Sequence, residues 1–103
     1  MINQTLNDIK QTVAFFSPDN EIILFGSRAR NDHTETSDYD IMVIIPGSIS
    51  IEEKIKLSGM ITRALAKKKI SADVLIESRE EIDIKKALPG TIVREAVREG
   101  IRI

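Results

Sequence analysis

The chain has 103 residues, 42% of them apolar and 30% charged, with 15 Lys and Arg against 16 Asp and Glu for a formal net charge of −1. That usage excludes disorder over most of the length and fits a small globular domain with an aliphatic core large enough to need no staples. The absence of cysteine removes disulfides, thiol catalysis and Cys-ligated zinc, and the near-neutral charge withholds the positive field that nucleic-acid binders use, so no direct nucleic-acid binding is expected.

In chain order, Ile2, Leu6, Ile9, Val13 and Phe16 recur at helical spacing and predict a first helix, which Ser17-Pro18-Asp19-Asn20 stops. Asp8 interrupts any signal-peptide reading of this segment, and the apolar runs are far short of a membrane span; a cytoplasmic location without membrane contact is expected. The apolar run 22–25 predicts a buried strand. Gly26 ends it, and Ser27 opens a short helical turn whose unpaired backbone N–H groups can receive an anion. Arg28 and Arg30 follow one turn on, where either can meet phosphate charge or pair with Glu35 or Asp32. His33 stands alone in a polar loop and reads as solvated.

Tyr39 to Ile45 predicts a second strand, and because side chains alternate faces along a strand, Asp38 and Asp40 project together while Tyr39 points away. Pro46-Gly47 ends it. Ser50 with Glu53 forms a capping box for a helix to about Lys68, with Ile51, Ile55, Ile61 and Leu65 as its core stripe. Lys67-Lys68-Lys69 reads as the solvated last turn of that helix, with contact to an acidic partner or a triphosphate tail as its functional alternative. The run 72–76, bounded by Ser71 and Glu77-Ser78, predicts a third strand able to lie beside the second, with Asp73 its odd residue. Ser78 with Glu81 caps a shorter helix to about Leu88, residues 91–99 form another closed by Gly100, and Ile101-Arg102-Ile103 adds a short terminal strand. The expectation is one domain over residues 1–103, of the α/β (α+β) class, with a small mixed sheet covered by helices.

The carboxylates carry the chemistry. Two like charges about 7 Å apart repel by roughly 2 kcal/mol at an effective dielectric near 20, and a hard divalent ion reverses that sign. Mg²⁺ takes one or two protein carboxylates and fills its remaining positions with water and phosphate oxygens, which the anion turn would bring. Where two metals clamp an in-line phosphoryl displacement a third carboxylate is expected, and Asp73 is the candidate.

Gly26-Ser27-Arg28-Ala29-Arg30 together with Ser37-Asp38-Tyr39-Asp40 resembles the minimal nucleotidyltransferase (MNT) family of the DNA polymerase beta superfamily, and residues 89–100 are similar to that family's terminal helix. The resemblance covers nearly the whole chain. It implies the nucleotidyltransferase fold and transfer of a nucleoside monophosphate from a nucleoside triphosphate, here ATP, to a hydroxyl, with two Mg²⁺ ions. Carried over residue by residue, Gly26 and Ser27 hold the triphosphate, with Arg28, Arg30 and Ser37 counted beside them as nucleotide-binding. Asp38 and Asp40 bind the metals, and Asp73 is metal ligand and base. Family members commonly have Gly where this chain has Asn31, and because Asn tolerates left-handed backbone the turn is expected to survive.

Larger nucleotidyltransferases append a helical domain that holds the acceptor, and this chain has no segment left to build one, so its acceptor is expected to come from elsewhere. In the resembled family, stand-alone domains are usually paired with a HEPN RNase toxin and act as its antitoxin, some by transferring AMP to a toxin tyrosine. Two other readings stay open: an enzyme acting on a small hydroxylated acceptor such as an aminoglycoside, and a non-catalytic antitoxin that neutralises by covering the toxin.

Overall fold

In the computed structural model, which describes residues 3–103, the elements are α1 (Gln4–Phe16), β1 (Glu21–Phe25), α2 (Ser27–Arg30), β2 (Tyr39–Ile45), α3 (Ile51–Lys67), β3 (Ala72–Ser78), α4 (Arg79–Lys85), α5 (Ile92–Glu99) and β4 (Ile101–Arg102). Their order is the one the sequence predicts; Ile2, assigned to the first helix by its spacing, lies outside the described residues. The strands join in the order β3-β2-β1-β4. β1 is antiparallel to β2 and β4, and β3 is parallel to β2, so the sheet is small and mixed.

Strand alternation divides the core into two layers. Ile22, Leu24, Ile41, Val43, Ala72 and Ile76 pack with Ile9 and Val13 of α1 and Ile61 and Leu65 of α3. Ile23, Phe25, Met42 and Ile44 pack with Ile82 of α4 and Val93 and Ala96 of α5. Helices therefore cover both faces, giving the expected α+β architecture. Ile41, Met42 and Val43 are wholly buried, as a central strand requires, and each such side chain contributes about 1.5–3 kcal/mol by leaving water.

The helix starts follow local chemistry. Asn3, Ser50, Ser78 and Thr91 each accept a backbone N–H from the first turn that follows, with Glu53 and Glu81 as donors for the two predicted boxes. In both, the serine hydroxyl also donates to the glutamate carboxylate at 3.1 Å.

Three details depart from the expectations. Ile51 and Ile55 are 73% and 69% exposed rather than in the core stripe. The face of α3 turned to the core carries Leu57, Ile61 and Leu65 instead, and on the side toward β3 Ser58 Oγ donates to the Val74 carbonyl at 2.9 Å and Lys54 reaches the carboxylate of Glu77 at 3.4 Å. Glu77 and Ser78, read as the boundary of the third strand, lie inside β3 and are buried. Glu77 is tolerated there because Lys85 meets it at 3.1 Å alongside Lys54. The helix begun at Ser78 ends at Lys85, and a turn closed by the Leu88 N–H on the Lys85 carbonyl carries the chain onward.

Candidate active site

β2 sits between β1 and β3, and its second residue, Asp40, has Phe25 as its register partner on one side and Asp73 on the other. Register partners on neighbouring strands lie about 4.8 Å apart with side chains on one face, so the Asp40 and Asp73 carboxylates are neighbours. Asp40 is half-buried, and Asp38 and Asp73 are exposed. Burial first, then the charge of Asp73 and a hydrogen bond with it, then the charge of Asp38, raise the Asp40 carboxyl above its usual range, with Arg30 opposing.

Asp38 immediately precedes β2. Its Oδ1 accepts from Ser71 Oγ at 2.5 Å, and the Ser71 carbonyl accepts the Tyr39 N–H at 3.0 Å. Ser71, read only as a strand boundary, is thus part of the site, and the only route to it from sequence was the parallel register that sets 38 beside 71.

Among the described residues no three acidic or histidine side chains converge as they stand in a metal-coordinating group, since Asp38 is turned to Ser71 while Asp40 and Asp73 stand side by side. The donor set nevertheless suits a hard divalent cation. It offers carboxylate oxygens on one face, and their mutual repulsion is what a bound cation relieves.

The turn beside them is built on Gly26. Its φ of 71° and ψ of −156° fall in a region open essentially to glycine alone. A Cβ there would collide with Asp40 Oδ2 and come within 3.0 Å of its Cγ. The Gly26 carbonyl accepts the N–H groups of Ala29 and Arg30 at 3.1 and 3.0 Å, and Asn31 closes α2 in left-handed geometry, φ 62° and ψ 31°, as its tolerance for that conformation predicts. The N–H groups of Ser27 and Arg28 lead the turn, where no helical carbonyl can reach them. The N–H of Gly26 does not join them: it donates to Glu99 Oε1 at 3.1 Å.

The other sequence candidates divide. Arg28 lies 4.1 Å from the centroid of the Tyr39 ring and donates to the carbonyls of Ser37 (2.9 Å), Thr34 (3.3 Å) and Glu35 (3.4 Å), so it stitches loop 34–37 to the far side of β2. Tyr39 packs against the α1/α3 layer, as alternation predicts. Ser37 Oγ accepts the Thr34 N–H at 2.9 Å and closes the same loop. Arg30 pairs with Asp32 at 3.2 Å and Glu99 at 3.1 Å. Lys68, the middle residue of the basic run, donates to Thr12 at 2.7 Å, and His33 is exposed.

A cavity of about 470 Å³ opens beside the carboxylates. Asp40 and Asp73 line it together with the apolar Phe25, Leu75 and Ile92 and the hydroxyls of Ser58 and Thr62.

A small mixed sheet that sets paired aspartates against a Gly-Ser turn defines a nucleotide-transferring enzyme. The chain belongs to the nucleotidyltransferase domain family, whose profile matches residues 6–103. Among its relatives are two proteins of Methanocaldococcus jannaschii, each provisionally named a protein adenylyltransferase. One is 27% identical over 104 residues, covering 99% of this chain and 98% of the relative; the other is 35% identical over 80 residues, covering 78% and 73%. A toxin–antitoxin crystal structure with AMP-PNP is similar with a TM-score of 0.61 at 20% identity, over 93% of this chain and 69% of that one. A tri-AMPylated Shewanella oneidensis HEPN toxin in complex with MNT antitoxin gives a TM-score of 0.59 at 19% identity, over 96% and 68%. These structural likenesses establish the nucleotidyltransferase fold.

Proposed function

We propose that this nucleotidyltransferase is a protein adenylyltransferase that moves AMP from ATP, with Mg²⁺, to a hydroxyl, a tyrosine, of a HEPN-type RNase toxin and acts as its antitoxin. The observation that carries the reading is the position of Asp40, set against Gly26 of the turn on one side and Asp73 on the other, with both carboxylates lining a partly apolar cavity.

In this reading Asp38, Asp40 and Asp73 are the oxygen ligands of two Mg²⁺ ions, which when bound neutralise phosphate charge and favour attack at the α-phosphate. The triphosphate lies on the N–H groups of Ser27 and Arg28, with Gly26 keeping the turn close to the carboxylates. Asp73, exposed and without the Ser71 hydrogen bond that Asp38 accepts, takes the proton of the attacking hydroxyl. The acceptor oxygen bonds to the α-phosphorus, the bond from that phosphorus to the β-phosphate oxygen breaks, and pyrophosphate leaves. Ser37 and the guanidinium of Arg28 act by holding loop 34–37 behind Asp38.

The cavity wall of Phe25, Leu75 and Ile92 suits an aromatic side chain carrying the hydroxyl. Ile55 and Ile92, 69% and 56% exposed, are apolar surface of the kind a protein partner covers. A single domain over residues 1–103 working in the cytoplasm completes the proposal, and no helix among the described residues is long and apolar enough to cross a membrane.

The test is labelled ATP with Mg²⁺. Transfer to the toxin should require both proteins, and toxin RNase activity should fall in step. Robust transfer by the isolated chain to a small hydroxylated compound would favour that acceptor class instead, and neutralisation without label transfer would favour an antitoxin that acts by binding.

A further inference from the structure

We propose that Glu99 is a positioning residue for the phosphate turn: its carboxylate holds the Gly26 N–H and takes its countercharge from Arg30, so that the turn meets a triphosphate in one fixed shape. The inference rests on the reading of Gly26-Ser27 as the phosphate turn.

Glu99 is the last residue of α5, 73 positions from Gly26. Its Oε1 accepts from the Gly26 N–H at 3.1 Å and from Arg30 Nη1 at 3.1 Å, and Oε2 lies 3.3 Å from the same nitrogen. The side chain is only 26% exposed. Its backbone is pinned on both sides of Gly100. The Gly100 N–H donates to the Ala96 carbonyl at 2.8 Å, a Cβ at Gly100 would collide with Ile23 Cγ2, and Ile101 pairs with Leu24, two residues before Gly26. The sheet therefore delivers the carboxylate to the turn without help from any mobile element.

Two consequences follow. The Gly26 N–H, buried and bonded to a carboxylate, is a structural donor, and phosphate must use the donors further along the turn. A bare carboxylate at that point would repel a triphosphate. Arg30 removes this repulsion by pairing with Glu99, so its contribution to nucleotide binding is to shield Glu99 rather than to grip phosphate.

The experiment is calorimetric titration of ATP with Mg²⁺ into the full chain, paired with transfer kinetics and thermal melts. Glu99→Ala should weaken ATP binding about tenfold, the worth of one charge-assisted hydrogen bond, and raise KM for ATP more than it lowers kcat. Glu99→Gln keeps an oxygen acceptor for the Gly26 N–H and should stay within about threefold of wild type. Arg30→Ala should weaken binding about tenfold by exposing the Glu99 charge, and adding Glu99→Gln should restore it to within about threefold. That double variant keeps the test decisive should Glu99→Ala not fold. Unchanged ATP affinity in folded Glu99→Ala, with only the melting temperature lowered, would assign Glu99 to structure alone. An Arg30→Ala/Glu99→Gln double variant as weak as Arg30→Ala would make Arg30 a direct phosphate ligand and overturn the shielding role. Failure of the turn reading itself has a separate signature, in which Gly26→Ala and Ser27→Ala also bind ATP as wild type.

Discussion

Asp40 Oδ2 stands where a Cβ at position 26 would have to be, so the carboxylate and Gly26 share one space. Two conditions thereby fall on Gly26 together. Its backbone angles exclude other residues, and its missing side chain lets the turn close onto the strand that carries the aspartate. The spacing between the turn and the acid is a packing requirement of the fold.

Gly26→Ala should therefore act on both. Forcing a side chain into this backbone region costs about 1–3 kcal/mol, and the displaced Asp40 carboxylate should take most transfer activity with it. Urea unfolding and the transfer assay, run on the same preparation, check the pair of effects. Ser27→Ala, which removes a hydroxyl from an unstrained position, should be milder on both counts.

Removing charge at Asp40 should separate stability from activity. Its carboxyl titrates above the usual range through burial, Asp73 and Asp38, so the ionised form is disfavoured in the fold and stability is lost as pH rises past the ordinary Asp range. Asp40→Asn should accordingly melt at or above the wild-type temperature at pH 7 while transfer falls about 10²-fold or more. Asp73→Asn should spare ATP binding better than transfer, because its proposed work is on the acceptor hydroxyl. Equal loss of both would move Asp73 to a purely structural or metal-holding role.

The ionic cluster at the other end of β3 should set the acid limit of the fold. The Glu81 carboxyl is lowered to about 2, chiefly by the hydrogen bond from Lys54 at 2.6 Å, with burial opposing and Ser78 and Lys85 adding to it. A depressed carboxyl contributes in full above the ordinary Glu value near 4.3, and that contribution is lost as pH falls through about 2. Lys54→Met removes that partner and one of the two cations beside buried Glu77, which should cost about 1–3 kcal/mol at pH 7. Urea melts of both proteins should converge as the pH is taken down toward 2.

Local signals were legible in the sequence and distant partnerships were not. Alternation placed Tyr39 behind β2 and Asp40 in front, the two serine caps started α3 and α4, and Asn31 took the left-handed turn. Each depends on neighbours within a few residues. The partners of charges do not: Glu77 looked like a strand end because Lys54 and Lys85 lie 23 and 8 positions away, and the same inward Lys54 is flanked on α3 by Ile51 and Ile55, which face water. Residue 99 was legible only as the end of a helix, because the partners of Glu99, Gly26 and Arg30, lie 73 and 69 positions away. At the site, Asp40 and Asp73 were readable as strand residues of one chemical kind, whereas the turn of Asp38 toward Ser71 and of Arg28 toward loop 34–37 depended on tertiary contacts.

The most direct measurement is the intact mass of the proposed HEPN-type toxin partner co-expressed with this chain, compared with co-expression alongside the Asp38→Asn/Asp40→Asn variant. If AMP transfer by this chain is what neutralises the toxin, the toxin should gain the mass of one or more AMP groups with wild type and none with the variant, and only the modified toxin should have lost its RNase activity. An unmodified toxin that is nonetheless fully neutralised, or an equal mass gain with both proteins, would contradict it.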